Sequence, residues 1–163
     1  MSNQLSLTET EKPEITEQLK PLSPDICLVV LGKPKQQPRH RHYTRGKFTG
    51  TYDPAQKDKF NFLLTVQNNA PKKPFDEPLR VDIDCYFSRP KCHYGTGKNR
   101  GIIKKSSPRF HTVKPDIDNL RKFVMDALNK VFWRDDSIIC EGTTRKFYSE
   151  KPRTEIKIYR NGE

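Results

Sequence analysis

The sequence predicts a small α/β (α+β) domain, a mixed sheet with two main helices packed on it, and three patterns carry that prediction. ICLVVLG, residues 26–32, is a continuous apolar run ending in glycine, which suits a buried strand. LRVDIDCYFS, residues 79–88, alternates Leu79, Val81, Ile83, Cys85 and Phe87 with polar neighbours, the period of a strand buried on one face. From residue 116 onward, Leu120, Phe123, Val124, Ala127, Leu128 and Val131 recur at the spacing of an amphipathic helix. A chain of 163 residues has length for one domain with one modest core.

Taken in order, residues 1–25 are polar and proline-punctuated and read as a disordered acidic tail, leaving 26–163 as the folded domain. After the first strand comes a proline-rich basic loop. Asp53 is then placed to cap a helix with Pro54 in its first turn. Phe60, Leu63, Leu64 and Ala70 give residues 54–70 a partial apolar face, which PKKP stops. In the alternating strand Asp82 and Asp84 fall on the polar side and read as solvated. Residues 89–112 form a long basic loop with three glycines, a length usually found in functional or mobile loops. The helix from 116 is expected to run about 16 residues, roughly 24 Å. RDDS ends it, and IICEG, TTRKFYS and RTEIKIY read as the closing strands.

The chain carries a formal charge of +11, unevenly placed. Residues 1–25 hold five acids against two lysines, so the domain itself carries +14. Lys33, Lys35, Arg39, Arg41, Arg45 and Lys47 form one window without an acid, with Tyr43, Phe48 and Tyr52 in or near it. A second acid-free window runs from Arg89 to Arg109 and includes Lys91, Lys104 and Lys105. Basic runs interleaved with aromatics point to a nucleic-acid partner, whose phosphates and base faces they match.

No stretch approaches the ~18–20 apolar residues that span a bilayer, and neither basic window has an insertable apolar face, so no membrane partner is expected. The start of the chain lacks the charged-then-apolar pattern of a secretion leader. Cys27, Cys85, Cys92 and Cys140 show no C-x-x-C spacing, and Cys27 and Cys85 read as small core residues. These features fit a reducing, cytoplasmic setting.

Two carboxylate pairs stand out against this basic background, Asp116 and Asp118 at the helix start and Asp135 and Asp136 beyond its end. Phosphodiester hydrolysis commonly uses a hard divalent cation held by carboxylate oxygens. Equally, Asp116 fits an N-cap, Asp118 an acid offsetting the helix dipole, and Lys122 its i+4 salt-bridge partner. Spacing alone leaves both roles open. The pairs converge only if the chain turns back after Arg134 and the next strand runs beside the segment carrying Asp116. A calcium loop is excluded, because Leu120 and Arg121 occupy its ligand and glycine positions.

KPDIDNLRKFVMDALN followed by FWRDDSII resembles the signature of the RusA-like Holliday junction resolvases: acid–x–acid–Asn–Leu, a lysine four residues on, D-A-L, then an Asp–Asp pair before a strand. The basic stretches GKPKQQPRHRHYTRGKFTGTYDP and RPKCHYGTG resemble that family's loops, and the likeness spans about residues 26–160. The resemblance implies a homodimeric, Mg2+-dependent endodeoxyribonuclease, with Mn2+ as a substitute ion, that cuts four-way DNA junctions. It implies metal ligands at Asp116, Asp118 and Asp136, assisted by Asp135, and a catalytic lysine at Lys122. Lys33, Lys35, Arg39, Arg41, Arg45, Lys47, Arg89, Lys91, Lys104, Lys105, Arg109 and Lys114 are the expected DNA contacts. The competing readings are a nuclease of the same chemistry on other branched DNA or RNA, and a non-catalytic DNA-binding protein.

Overall fold

The alternating segment becomes the central strand of the sheet. The computed structural model describes residues 23–161. The elements are β1 (Ile26–Leu31), β2 (Arg41–Arg45), β3 (Phe48–Tyr52), α1 (Gln56–Val66), β4 (Leu79–Ser88), α2 (Ile117–Leu128), β5 (Ile139–Glu141), β6 (Thr144–Ser149) and β7 (Arg153–Arg160). Apart from residues 23–25, the expected acidic tail lies outside the described residues.

β4 pairs antiparallel with β7, which pairs antiparallel with β1 at the edge. On its other side β4 pairs in parallel with β5 and then β6, so these two short strands share one lane. The result is the expected mixed sheet. Leu79, Val81, Ile83, Cys85 and Phe87 point to one face and meet Ile156 and Ile158 of β7, Phe62 and Val66 of α1, and Leu120, Phe123, Val124 and Leu128 of α2. Phe62 and Phe123 meet edge to face with ring centroids 5.5 Å apart, which locks the helices together. Burying each of these large side chains contributes about 2 kcal/mol. Burial also pushes the Cys85 thiol up to about 12, so it stays an unreactive core group.

Four expectations need correction. ICLVVL is an edge strand, with only Leu28 buried and Leu31 78% exposed, because a continuous apolar run cannot say which lane a strand occupies. Cys27 is accordingly exposed. Asp82 and Asp84 are not solvated, at 7% and 6% exposed. Arg80 and Thr143 satisfy Asp82, while Arg145 grips both oxygens of Asp84 at 2.7 and 2.8 Å. The acids on the outer sheet face are thus answered by Arg80 of β4 itself and Arg145 of the neighbouring β6. The helix from 117 ends at Leu128 after 12 residues, because the chain turns to bury Phe132 and Trp133 in the core.

Within the first basic loop, β2 and β3 form a hairpin of their own, turning at Gly46 with φ of 63°. Its aromatic and Thr alternation across a two-residue Gly-Lys link is a hairpin signal that the proline content obscured. The loop at 89–112 also has structure. It folds on itself through bonds such as Gly95 N–H to Ile102 O and Lys104 N–H to His93 O.

Candidate active site

The site begins where the second basic loop rejoins the sheet. Residues 109–111 lie along β6, with Tyr148 N–H donating to Arg109 O and His111 N–H to Lys146 O. Lys146, on the inward face of β6, donates from Nζ to Val113 O at 2.9 Å and to Pro115 O at 2.7 Å. This ammonium pins a strap, residues 113–115, that delivers the chain to Asp116. Asp116 is extended, with φ of −73° and ψ of 150°, and α2 starts at the next residue. From the other side, Gln37 N–H donates to Asn119 O at 2.9 Å, so the basic segment 33–39 is tied to the head of α2.

Of the structural roles foreseen here one is filled, since Asp118 stands in the first turn of α2 where an acid offsets the helix dipole, while the cap bond and the salt bridge are not made. Asp116 occupies the N-cap position, yet its side chain makes no capping bond. Among the described residues no ion pair or side-chain hydrogen bond includes Asp118 or Lys122, which lie one helical turn apart, and all three side chains are exposed. Basic residues gather around Asp116. Pockets of about 350, 380 and 280 Å³ share Pro115 and together line a groove with Lys33, Lys35, Arg39, Lys114, Asp116 and Asn119.

Asp135 and Asp136 sit elsewhere. Residues after Phe132 run beside β4 in the same direction, with Arg134 N–H on Phe75 O, Ile139 opposite Leu79 and Lys146 opposite Cys85. Asp136 therefore lies near the Leu79 end of β4 and the strap near the Cys85 end, on the order of 20 Å apart at about 3.3 Å per residue. Both acids are occupied. Trp133 Nε1 donates to Asp136 Oδ1 at 2.7 Å. Asp135 accepts from Ser137 N–H and pairs with Lys130; the Ser137 bonds first, then Lys130, hold its carboxyl at about 2. Within one chain, then, Asp116 and Asp118 share one end and Asp135 and Asp136 the other. No group of three His, Cys, Asp or Glu among the described residues is placed to hold a metal ion.

The expected DNA contacts distribute along the same side chains and loops. Lys33, Arg39 and Lys114 line the groove, while Lys35 does so with its ammonium on Asp58 at 3.3 Å. Arg41, Arg45 and Lys47 project on the exposed hairpin, with Phe48 at its tip 81% exposed. Arg89 and Lys104 brace the second loop through Pro108 O and Cys92 O. Lys91 and Lys105 are exposed on that loop, and the Arg109 guanidinium lies over the Phe110 ring.

The sequence reading missed the groups that build this site. Lys146 stands at an inward position of an alternating strand, which was the available signal. Gln37, buried at the groove wall, donates to Asp53 Oδ1. Lys59 bridges Asp53 on one side and Asp126 of α2 on the other, both at 2.7 Å. Burial would raise the Asp53 carboxyl, but Lys59, Ala55 N–H and Gln37 together hold it at about 2.

A mixed-sheet α+β domain whose basic groove runs past an unpartnered acid pair belongs to the class of proteins that act on nucleic acid. The chain is a member of the Endodeoxyribonuclease RusA family, which matches residues 32–159, and by that membership it is an endodeoxyribonuclease. It is 34% identical over 135 residues to the uncharacterized protein YqaN of Bacillus subtilis (strain 168), covering 82% of this chain and 94% of that one. It is also 27% identical over 110 residues to the crossover junction endodeoxyribonuclease rusA of Lactococcus phage r1t, covering 66% of this chain and 75% of that one. No helix among the described residues is long and apolar enough to cross a membrane.

Proposed function

We propose that the protein is a homodimeric, Mg2+-dependent endodeoxyribonuclease that resolves four-way DNA junctions, with Mn2+ as a substitute ion. The observation that carries this reading is Asp116, which lines a basic groove and makes no capping bond, with Asp118 exposed two residues on in the first turn of α2. Neighbouring carboxylates repel, and a bound cation offsets that repulsion. Their hard oxygens suit Mg2+. Asp136 of the same chain does not reach them.

A second copy on a two-fold axis supplies the missing acid if the two α2 helices pack antiparallel. Asp136 of the partner subunit then stands at the head of α2, and two such sites face opposing strands of a pseudo-symmetric junction. The ion, when bound, supplies an activated water and neutralises charge on the phosphate. Lys122, one turn beyond Asp118, presents its ammonium to charge that develops during cleavage. Lys33, Arg39 and Lys114 hold the backbone, and the hairpin adds Arg41, Arg45 and Lys47 with Tyr43, Phe48 and Tyr52 for stacking on bases.

The test is cleavage of a synthetic four-way junction beside flaps, duplex and RNA, with and without Mg2+. Preferred cutting of the junction supports the reading; equal cutting of flaps or RNA replaces its substrate. Shared sites have their own signature. Asp118→Asn and Asp136→Asn are each inactive alone, yet mixing them restores one intact site per heterodimer and therefore nicking. Mixtures that stay inactive would overturn the shared arrangement.

A further inference from the structure

We propose that the pocket between the Ser88 end of β4 and the strap at 113–115 is a seat for one phosphodiester of the DNA backbone, with His111 as its buried donor. The pocket holds about 280 Å³ and is lined by Lys33, Phe87, Ser88, His111, Lys114 and Pro115. That is ample for a phosphate group, against ~30 Å³ for one water. Every ionisable group on its wall is a base; no carboxylate contributes. Lys33 and Lys114 approach from two different segments, as two charges closing on one anion would.

The wall is rigid. The His111 ring stacks on Phe87 at 4.0 Å with planes 21° apart, and the side chain is 7% exposed. Its backbone is fixed to β6 by the bond to Lys146 O, and the strap beyond it hangs from the Lys146 ammonium. His111 Nδ1 is buried without a hydrogen-bond partner. Burial first holds this imidazole below its ordinary pKa, and the ammoniums of Lys146 and Lys33 add a smaller positive potential around the ring. An arriving phosphate relieves that potential.

Position gives the pocket its use. It shares Pro115 and Lys114 with the adjoining pocket that contains Asp116. A phosphate seated there fixes the strand's register beside the acids, which is what backbone contacts do in nucleic-acid recognition. The inference rests on the proposed function for its substrate, while the pocket's occupancy can be read without any cleavage.

The experiment has two arms. In the first, inorganic phosphate and dimethyl phosphate are titrated into the full-length protein while the His111 ring resonances are followed by NMR. A saturable shift in wild type, lost in Lys33→Gln with Lys114→Gln, is expected; the absence of a shift in wild type overturns the seat. In the second arm, junction affinity is measured in EDTA across a salt series. The double variant is expected to bind about ten-fold more weakly and to lose roughly 1–2 from the slope of log affinity on log salt. Lys157→Gln with Lys73→Gln, both outside the pocket, is the charge-matched control, and His111→Phe keeps the stack on Phe87 while removing the donor. A double variant that behaves like the control overturns the seat even if the enzyme cuts junctions. If wild type binds no junction, the proposed function fails, and the first arm still decides the pocket.

Discussion

The two ends of α2 carry the same kind of side chain and use it in opposite ways. At the head, Asp116 makes no cap bond, and Asp118 and Lys122 make none with each other. Toward and beyond the tail, Asp126 holds Lys59, Asp135 holds Ser137 and Lys130, and Asp136 holds the indole of Trp133. Acids spent on the fold have their charge or lone pairs answered by the chain. The acids at the head do not, and Asp116 lies where the chain has gathered its cations.

The sharpest way to break this contrast is to neutralise the head. Asp118→Asn, or Asp116→Asn, is expected to lower junction cleavage by at least about a hundred-fold, some 3 kcal/mol of barrier, with an unchanged Tm. A large fall in Tm would place the head among the structural acids. Cleavage assays beside calorimetry decide it.

Lys59→Met should do the reverse. It strands Asp53 and Asp126, which are only partly exposed, and is expected to cost about 2–3 kcal/mol in urea unfolding while sparing the acids at the head. Asp136 sharpens the contrast, since the proposed function asks it to serve both purposes. Asp136→Ala leaves the buried Trp133 N–H without an acceptor, at about 1–2 kcal/mol. Asp136→Asn keeps an acceptor oxygen and should recover that stability. Cleavage lost in Asp136→Asn at wild-type stability assigns the acid a catalytic task as well.

The smallest effect concerns pH. Asp53 is held at about 2, below its ordinary value of 3.8. Its contribution is therefore complete above pH 3.8 and lost as pH falls through 2, amounting to about 1–2 kcal/mol. Unfolding curves at pH 5 and pH 2.5 for wild type and Asp53→Asn isolate that share. The variant should lose less stability between the two.

Much of the scaffold was readable as pattern. The alternation at 79–88 and the helical spacing from Leu120 each name a face, and a face needs a sheet or helix to cover it. Other features were harder to read, most of all those whose partners lie far along the chain. Asp82 and Asp84 look solvated until Arg80 and Arg145 are set beside them, and Arg145 is 61 residues from Asp84. The hairpin was hidden in a stretch judged by its prolines and charge. Lys146 became part of the site only through the carbonyls of a strap more than 30 residues away.

By itself, the sequence determined the local periods, the basic charge and the acid–x–acid–Asn–Leu pattern that marks the family, because these depend on neighbours along the chain. Only the tertiary structure decided which carboxylates are spent and which are free. It set Asp116 in the basic groove, with Asp118 exposed two residues on, and put Asp136 near the Leu79 end of β4. Partners come from strand pairing and packing across long separations, and a carboxylate's role follows from its partners.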